Sequence, residues 1–110
     1  MQEKGKMSFE EFLKKGTKEE IDFFVKEYID SFDRNSMGSF LFRQYMLLEV
    51  FYTVKEFFAD SHYAKKEIAE RLFGENYHLT DIDTLDKTKD YLGKLLELVI
   101  DLRNRSVAVN

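Results

Sequence analysis

The sequence has no proline, no cysteine, no tryptophan and only five glycines among its 110 residues. Proline would occur about five times in an average chain of this length, and its absence removes the commonest helix breaker. The composition therefore favours an all-helical fold. The lack of cysteine excludes disulfides, thiol catalysis and cysteine-ligated metals, and it fits a protein of the reducing cytoplasm.

Long apolar runs and excess positive charge are lacking as well. No stretch of about 18 apolar residues occurs, so we expect no membrane contact. The opening MQEKGKMSFEEF lacks the apolar segment of a secretory signal, so we expect a cytoplasmic protein. A net charge of -4 disfavours nonspecific binding to nucleic acid or anionic lipid. With 44% apolar and 35% charged residues, the chain has the composition of a single globular domain spanning 1–110.

Two capping boxes mark the starts of the first helices. SFEE (8–11) and TKEE (17–20) each place a hydroxyl residue at the N-cap and a glutamate three residues later. They predict a short helix that ends near Gly16 and a second helix that runs to about Asp33. The apolar face of the second helix comprises Ile21, Phe24, Val25, Tyr28, Ile29 and Phe32.

A polar segment and a long apolar helix follow. DRNSMGS (33–39) contains a glycine and polar residues, so we expect a loop there. Either Ser36 or Ser39 then caps a helix that continues to about Asp60.

The remaining sequence predicts two more helices. Residues 62–73 form an amphipathic helix for which Gly74 is the expected C-cap. A connection follows, and the last helix spans about 84–104. Its N-cap candidates are Asp81, Asp83 and Thr84, and its apolar arc holds Leu85, Tyr91, Leu92, Leu95, Leu96, Leu98, Val99 and Leu102. The predicted fold is all-α, a single bundle of about four main helices plus a short N-terminal helix.

The long helix carries apolar residues on two sides. Its broad face comprises Phe40, Met46, Leu47, Val50, Phe51, Val54, Phe57 and Phe58. Its narrow stripe comprises Leu41, Tyr45, Leu48 and Tyr52, at steps of 4, 3 and 4, which is the spacing of a packed helix pair. One interpretation places this helix in the middle of its own bundle, between the second and last helices. The other makes the narrow stripe an interface with another chain or domain, which suits tyrosines with apolar rings and polar tips.

Arg43 lies within the broad apolar face of the long helix. A buried guanidinium needs a carboxylate or several carbonyl oxygens, because an unpaired buried charge is costly. We favour a structural role for Arg43, in a pair with an acid of a neighbouring helix or with its charge reaching solvent at a helix end. The alternative is an anchor for an anionic ligand.

No catalytic or metal-binding motif occurs in the sequence. His62 and His78 lack a third partner at metal-binding spacing, and DIDTLD (81–86) lacks the glycine and terminal glutamate of a calcium loop. We therefore expect neither cofactor nor metal, and no enzymatic activity.

KKEIAERLFG (65–74) resembles the first helix of a helix-turn-helix motif, but about ten residues separate it from the next helix instead of three or four. We expect no direct nucleic acid contact.

Three stretches together resemble a known family. FLKKGTKEEIDFFVKEYI (12–29), LFRQYMLLEVFYTVKEFF (41–58) and LLELVIDLRNR (95–105) are similar to the helical middle region of AraC-type two-component response regulators of Firmicutes. In that family the region lies between a receiver domain and a helix-turn-helix domain. The most distinctive parts are the Phe-Leu-x-x-Gly opening (12–16) and Phe-Arg-Gln-Tyr (42–45). The receiver's phosphoacceptor cluster and the DNA-binding helices have no counterpart in this sequence.

The resemblance implies a non-enzymatic connector that couples phosphorylation of a receiver domain to DNA binding. We expect it to act in transcription regulation as a dimerisation module, as a weak homodimer whose parent chain also carries the receiver and helix-turn-helix domains. The alternative is a small-molecule-sensing helical domain of a transcription regulator, in which Arg43 and nearby tyrosines line an internal pocket.

Overall fold

The computed structural model describes residues 7–72 and 78–109, which fold into six α-helices. These are α1 (Phe9–Lys15), α2 (Ile21–Asp30), α3 (Arg34–Met37), α4 (Phe40–Phe57), α5 (His62–Leu72) and α6 (Leu85–Val109). Short 3₁₀ turns at Lys18–Glu20 and Leu79–Asp81 precede α2 and α6. No strand occurs in the described ranges, so the predicted all-α class is confirmed.

Side-chain caps fix where several helices begin. Ser8 and Glu11 form the predicted capping box, in which each side chain accepts the backbone N–H of the other residue at 3.1 Å. Ser39, the second of the two candidates, caps α4 by accepting the N–H of Phe42 at 3.3 Å. Thr84 caps α6 in the same way. Each cap satisfies an N–H that has no partner inside its own helix.

The structure corrects several predicted boundaries. The expected loop 33–39 contains the one-turn helix α3, because the side chain of Asp33 accepts the N–H of Ser36 and starts a helix there. The predicted second helix starts as a 3₁₀ turn and ends at Asp30, and α4 ends at Phe57 rather than near Asp60. α6 continues to Val109 instead of stopping near 104. The predicted cap Gly74 lies outside the described residues.

Helix α6 occupies the centre of the molecule and packs against α1, α2, α4 and α5. Its buried residues include the predicted arc except for Leu85, which is half-buried, and also Thr88 and Ile100, which the prediction omitted. The prediction that α4 could be the central helix, between the second and last helices, is wrong. α4 packs mainly against α1, α3 and α6 and has a free outer side.

Aromatic rings connect α1, α2 and α4 along one side of the core. The ring of Tyr28 lies 5.3 Å from that of Phe9 and 5.2 Å from that of Phe32, which in turn lies 5.5 Å from Phe42. Such contacts add to the stabilisation from apolar burial. Burial among these rings, assisted by the nearby negative charges of Glu49 and Glu10, raises the pKa of Tyr28 to about 12.

The end of α1 is fastened to α6. The guanidinium of Arg103 donates to the carbonyl of Leu13 at 3.0 Å and to the carbonyl of Gly16 at 2.7 Å. Gly16 is also a point of close packing, because a Cβ at this position would lie 2.6 Å from the ring atoms of Phe12. Phe12 is buried and stacked on Phe24, so its ring has no room to move away.

We predict that Gly16→Ala lowers the free energy of unfolding by about 1–3 kcal/mol, because the added methyl group overpacks the site. The matched control is Gly93→Ala in the middle of α6, where the new Cβ meets its nearest neighbour, an atom of Ile21, at an ordinary 3.9 Å. This control should stabilise the protein by up to about 1 kcal/mol through helix propensity. Urea denaturation measures both, and equal effects of the two substitutions would contradict the packing argument.

The raised pKa of Tyr28 predicts a loss of stability at alkaline pH. The unfolded chain ionises this phenol near pH 10, whereas the folded chain keeps it neutral to about pH 12. The stabilisation is therefore complete below about pH 10 and is lost as the pH rises to about 12. Tyr28→Phe should lose less stability than the wild type between pH 9 and pH 11.5 in denaturant titrations. Identical pH dependence of the two proteins would contradict the argument.

Candidate interaction surface

Helix α4 has one covered face and one bare face. Its covered face is buried against the core through Met46, Leu47, Val50 and Val54, none of which is more than 2% exposed. Phe51 and Phe57 of the same predicted face are half-buried at its edges, and Phe40 at the start of the helix is exposed. The covered face therefore accounts for only part of the apolar surface of this helix.

The bare face is the narrow stripe. Leu41, Tyr45, Leu48 and Tyr52 are between 56% and 77% exposed. Their spacing places all four within roughly 60° of the helix circumference and along about 16 Å of its length. Single exposed apolar residues are normal on protein surfaces, but a contiguous apolar patch of this kind is typical of an interaction site.

Polar and charged residues border the narrow stripe. Gln44 and Lys55 lie on one side of it, and Glu49 and Glu56 lie on the other. The Lys55 ammonium sits 5.7 Å from the ring centre of Phe51, which keeps its charge close to the helix. An apolar centre with a polar rim is the arrangement of protein–protein interfaces.

Arg43 holds α4 in position from the covered side. Its side chain is 7% exposed and donates to the carbonyl of Met37 at 2.8 Å and to the carbonyl of Asp83 at 3.0 Å. The expected pairing with an acid is therefore replaced by a pairing with two backbone carbonyls. Met37 ends α3, so its carbonyl lacks a partner inside that helix. Arg43 thereby joins α3, α4 and the segment before α6.

Gln44 adds a second link that the sequence analysis did not identify. Its Nε2 donates to the carbonyls of Leu79 at 3.1 Å and Ile82 at 3.3 Å. Leu79 begins the 3₁₀ turn before α6, and Ile82 directly follows that turn. The ring of Phe42, two residues before Gln44, meets the ring of Phe32 edge to face. In the stretch Phe-Arg-Gln-Tyr, the first three residues thus anchor α4, and Tyr45 faces outward. The result is an apolar stripe on a fixed helix.

The other candidate residues do not form a site. His62 begins α5 and His78 precedes the 3₁₀ turn, and both are exposed. Asp83 pairs with Lys87 at 3.1 Å, and this hydrogen bond, with smaller help from Arg43, lowers the pKa of Asp83. Within residues 7–72 and 78–109, no three metal-ligating side chains come together. Each helix in these ranges is too short or too polar to cross a membrane.

A cleft of about 430 Å³ lies where α5 ends beside the start of α6. Its lining residues are Arg71, Asp81, Ile82, Lys87, Asp90, Tyr91 and Lys94. The charges largely neutralise one another, and Lys94 and Asp90 pair at 3.2 Å. Neither Arg43 nor the tyrosines of the narrow stripe line this cleft, so the residues named for a sensor pocket are not brought together there.

We predict that Arg43→Ala lowers the free energy of unfolding by about 2–4 kcal/mol, because the buried hydrogen bond to Met37 and the partly buried one to Asp83 both lose their charged donor. The control is Arg34→Ala on α3, whose exposed side chain should contribute no more than about 0.5 kcal/mol. Chemical denaturation measures both. An Arg43→Ala protein of unchanged stability that had lost affinity for a small ligand would favour the sensor.

The chain matches no protein-family model, and comparison with curated proteins and with solved structures finds no similar protein.

Proposed function

We propose that this chain is a non-enzymatic connector and dimerisation module of an AraC-type transcriptional response regulator. The observation that carries the proposal is the bare narrow stripe of α4, a row of four exposed apolar side chains on a helix that is anchored on its other side. Exposing such a row to water is unfavourable, and covering it with another polypeptide recovers the lost free energy.

The resemblance of the three helical stretches to the middle region of these regulators supports the same proposal. In the proposed parent chain, the receiver domain precedes α1 and the DNA-binding domain follows α6. The hydrogen bonds of Arg103 join the end of α1 to α6, the two elements closest to the attached domains. The Lys18–Asp101 ion pair at 2.7 Å also joins the 3₁₀ turn after α1 to α6. A displacement of α1 would then reach α6 directly. This is the mechanical property that a connector between two domains requires.

The small-molecule sensor is the weaker candidate on the same geometry. Two nitrogens of Arg43 already donate to carbonyl oxygens at hydrogen-bonding distance. Tyr45 and Tyr52 point to solvent rather than toward Arg43. A ligand anchored by Arg43 would have to displace internal hydrogen bonds of the fold.

We predict that Leu48→Glu together with Tyr52→Glu abolishes self-association and changes the melting temperature little. Both side chains are exposed, so charges are tolerated in the monomer but not in an apolar contact. Analytical ultracentrifugation over a range of concentrations and thermal melting provide the two measurements. The control is Phe23→Glu on α2, where an equally exposed aromatic side chain lies outside the stripe.

The wild type should dimerise weakly, because four exposed side chains are far fewer than the roughly 20–30 residues per side of a standard interface. The Phe23→Glu protein should dimerise like the wild type. Unfolding of the double variant would show that the stripe belongs to the monomer core, and a strictly monomeric wild type would rule out self-association.

We predict that the chain does not bind DNA selectively on its own, since it is acidic and about ten residues, instead of three or four, separate KKEIAERLFG (65–74) from the next helix. Gel-shift experiments at about 150 mM salt should show no sequence-selective complex, because phosphate contacts alone weaken steeply with salt. A selective shift under these conditions would contradict the connector role.

A further inference from the structure

The narrow stripe is symmetric about its own midpoint. Its residues follow one another at steps of 4, 3 and 4, so the sequence of spacings reads the same in both directions. The midpoint falls between Met46 and Leu47. Reversing the helix about this point exchanges Leu41 with Tyr52 and Tyr45 with Leu48. Every position of the stripe therefore meets another position of the stripe, and each leucine meets a tyrosine.

We infer that the partner of the narrow stripe is a second copy of this chain, whose α4 packs antiparallel about a two-fold axis through the stripe's midpoint. Leu41 of one copy then packs against Tyr52 of the other, and Tyr45 packs against Leu48. This inference rests on the proposed dimerisation and adds its orientation and register. A two-fold interface requires a self-complementary surface, and the spacing and residue types of the stripe meet that requirement.

The antiparallel arrangement is favoured over a parallel one on two physical grounds. In a parallel pair, each leucine would face a leucine and each tyrosine would face a tyrosine. Small Leu–Leu layers would then alternate with bulky Tyr–Tyr layers along the interface. The antiparallel pair gives four layers of one leucine and one tyrosine each, so the helices can remain at a constant separation. The partial charges at the helix ends also attract when two helices run in opposite directions and repel when they run in parallel.

The absence of native cysteine makes cross-linking a direct test of the register. Leu41→Cys and Tyr52→Cys proteins, distinguished by tags of different size, are mixed and treated with a short bismaleimide linker. In the antiparallel pair, a cysteine at 41 lies opposite a cysteine at 52. Two cysteines at 41 lie about 16 Å apart along the helix axes. The expected result is a several-fold excess of the mixed 41–52 product over either product linking identical positions.

A second pair, Tyr45→Cys with Leu48→Cys, tests only whether the inner layers lie in the contact, because two cysteines at 45 are about 4.5 Å apart along the helix axes and the linker joins them as well. Phe23→Cys on α2 reports the background from random collisions, since that exposed position lies outside the stripe. Circular dichroism of each variant confirms that it folds. The inference is supported if the mixed 41–52 product exceeds the products of identical positions and the 45–48 product exceeds the Phe23→Cys background.

Two results overturn the inference in distinguishable ways. Excess 41–41 and 52–52 products would establish a parallel pair, which leaves the proposed dimerisation intact. A wild type that sediments as a monomer, together with cross-linking at the Phe23→Cys level, would remove the proposed self-association itself. A wild-type dimer without cross-links through the stripe would move the interface to another surface and end the inference.

Discussion

The packing of α6 is the constraint on which the rest of the fold depends. Its apolar residues cover a wide arc, too wide for a single neighbouring helix to bury. Four helices, α1, α2, α4 and α5, lie against it. Because α6 takes the central position, α4 is placed at the outside with one covered face. The bare stripe on α4 is therefore a consequence of the arrangement around α6.

Side chains that bind backbone carbonyls hold this arrangement together. Arg43, Gln44 and Arg103 each donate to two carbonyl oxygens at or near the end of another element. This chain has no proline, the residue that most often stops a helix. The last carbonyls of each helix also lack partners inside that helix. A planar guanidinium can serve two such groups at once. These links position the elements without a buried pair of opposite charges.

Much of the fold could be predicted from local patterns, because capping and helical periodicity involve residues close in sequence. The capping box at Ser8 and the two-sided character of α4 are examples. The one-turn helix after Asp33 was missed because its polar residues equally suit a loop. The carbonyl partners of Arg43 could not be predicted, since Asp83 comes near only through tertiary packing. Periodicity likewise revealed two stripes on α4 but not which of them the core would cover.

The link between α1 and Arg103 has a consequence for the order in which the fold is made. Arg103 lies 90 positions after Leu13 in the chain. At about 5–20 residues per second, the ribosome needs roughly 5–20 s to synthesise this interval. During that time the apolar side chains of α1 have no α6 to pack against. The core can therefore close only after α6 has been synthesised, and until then the helices that pack against α6 lack the element that covers their apolar faces.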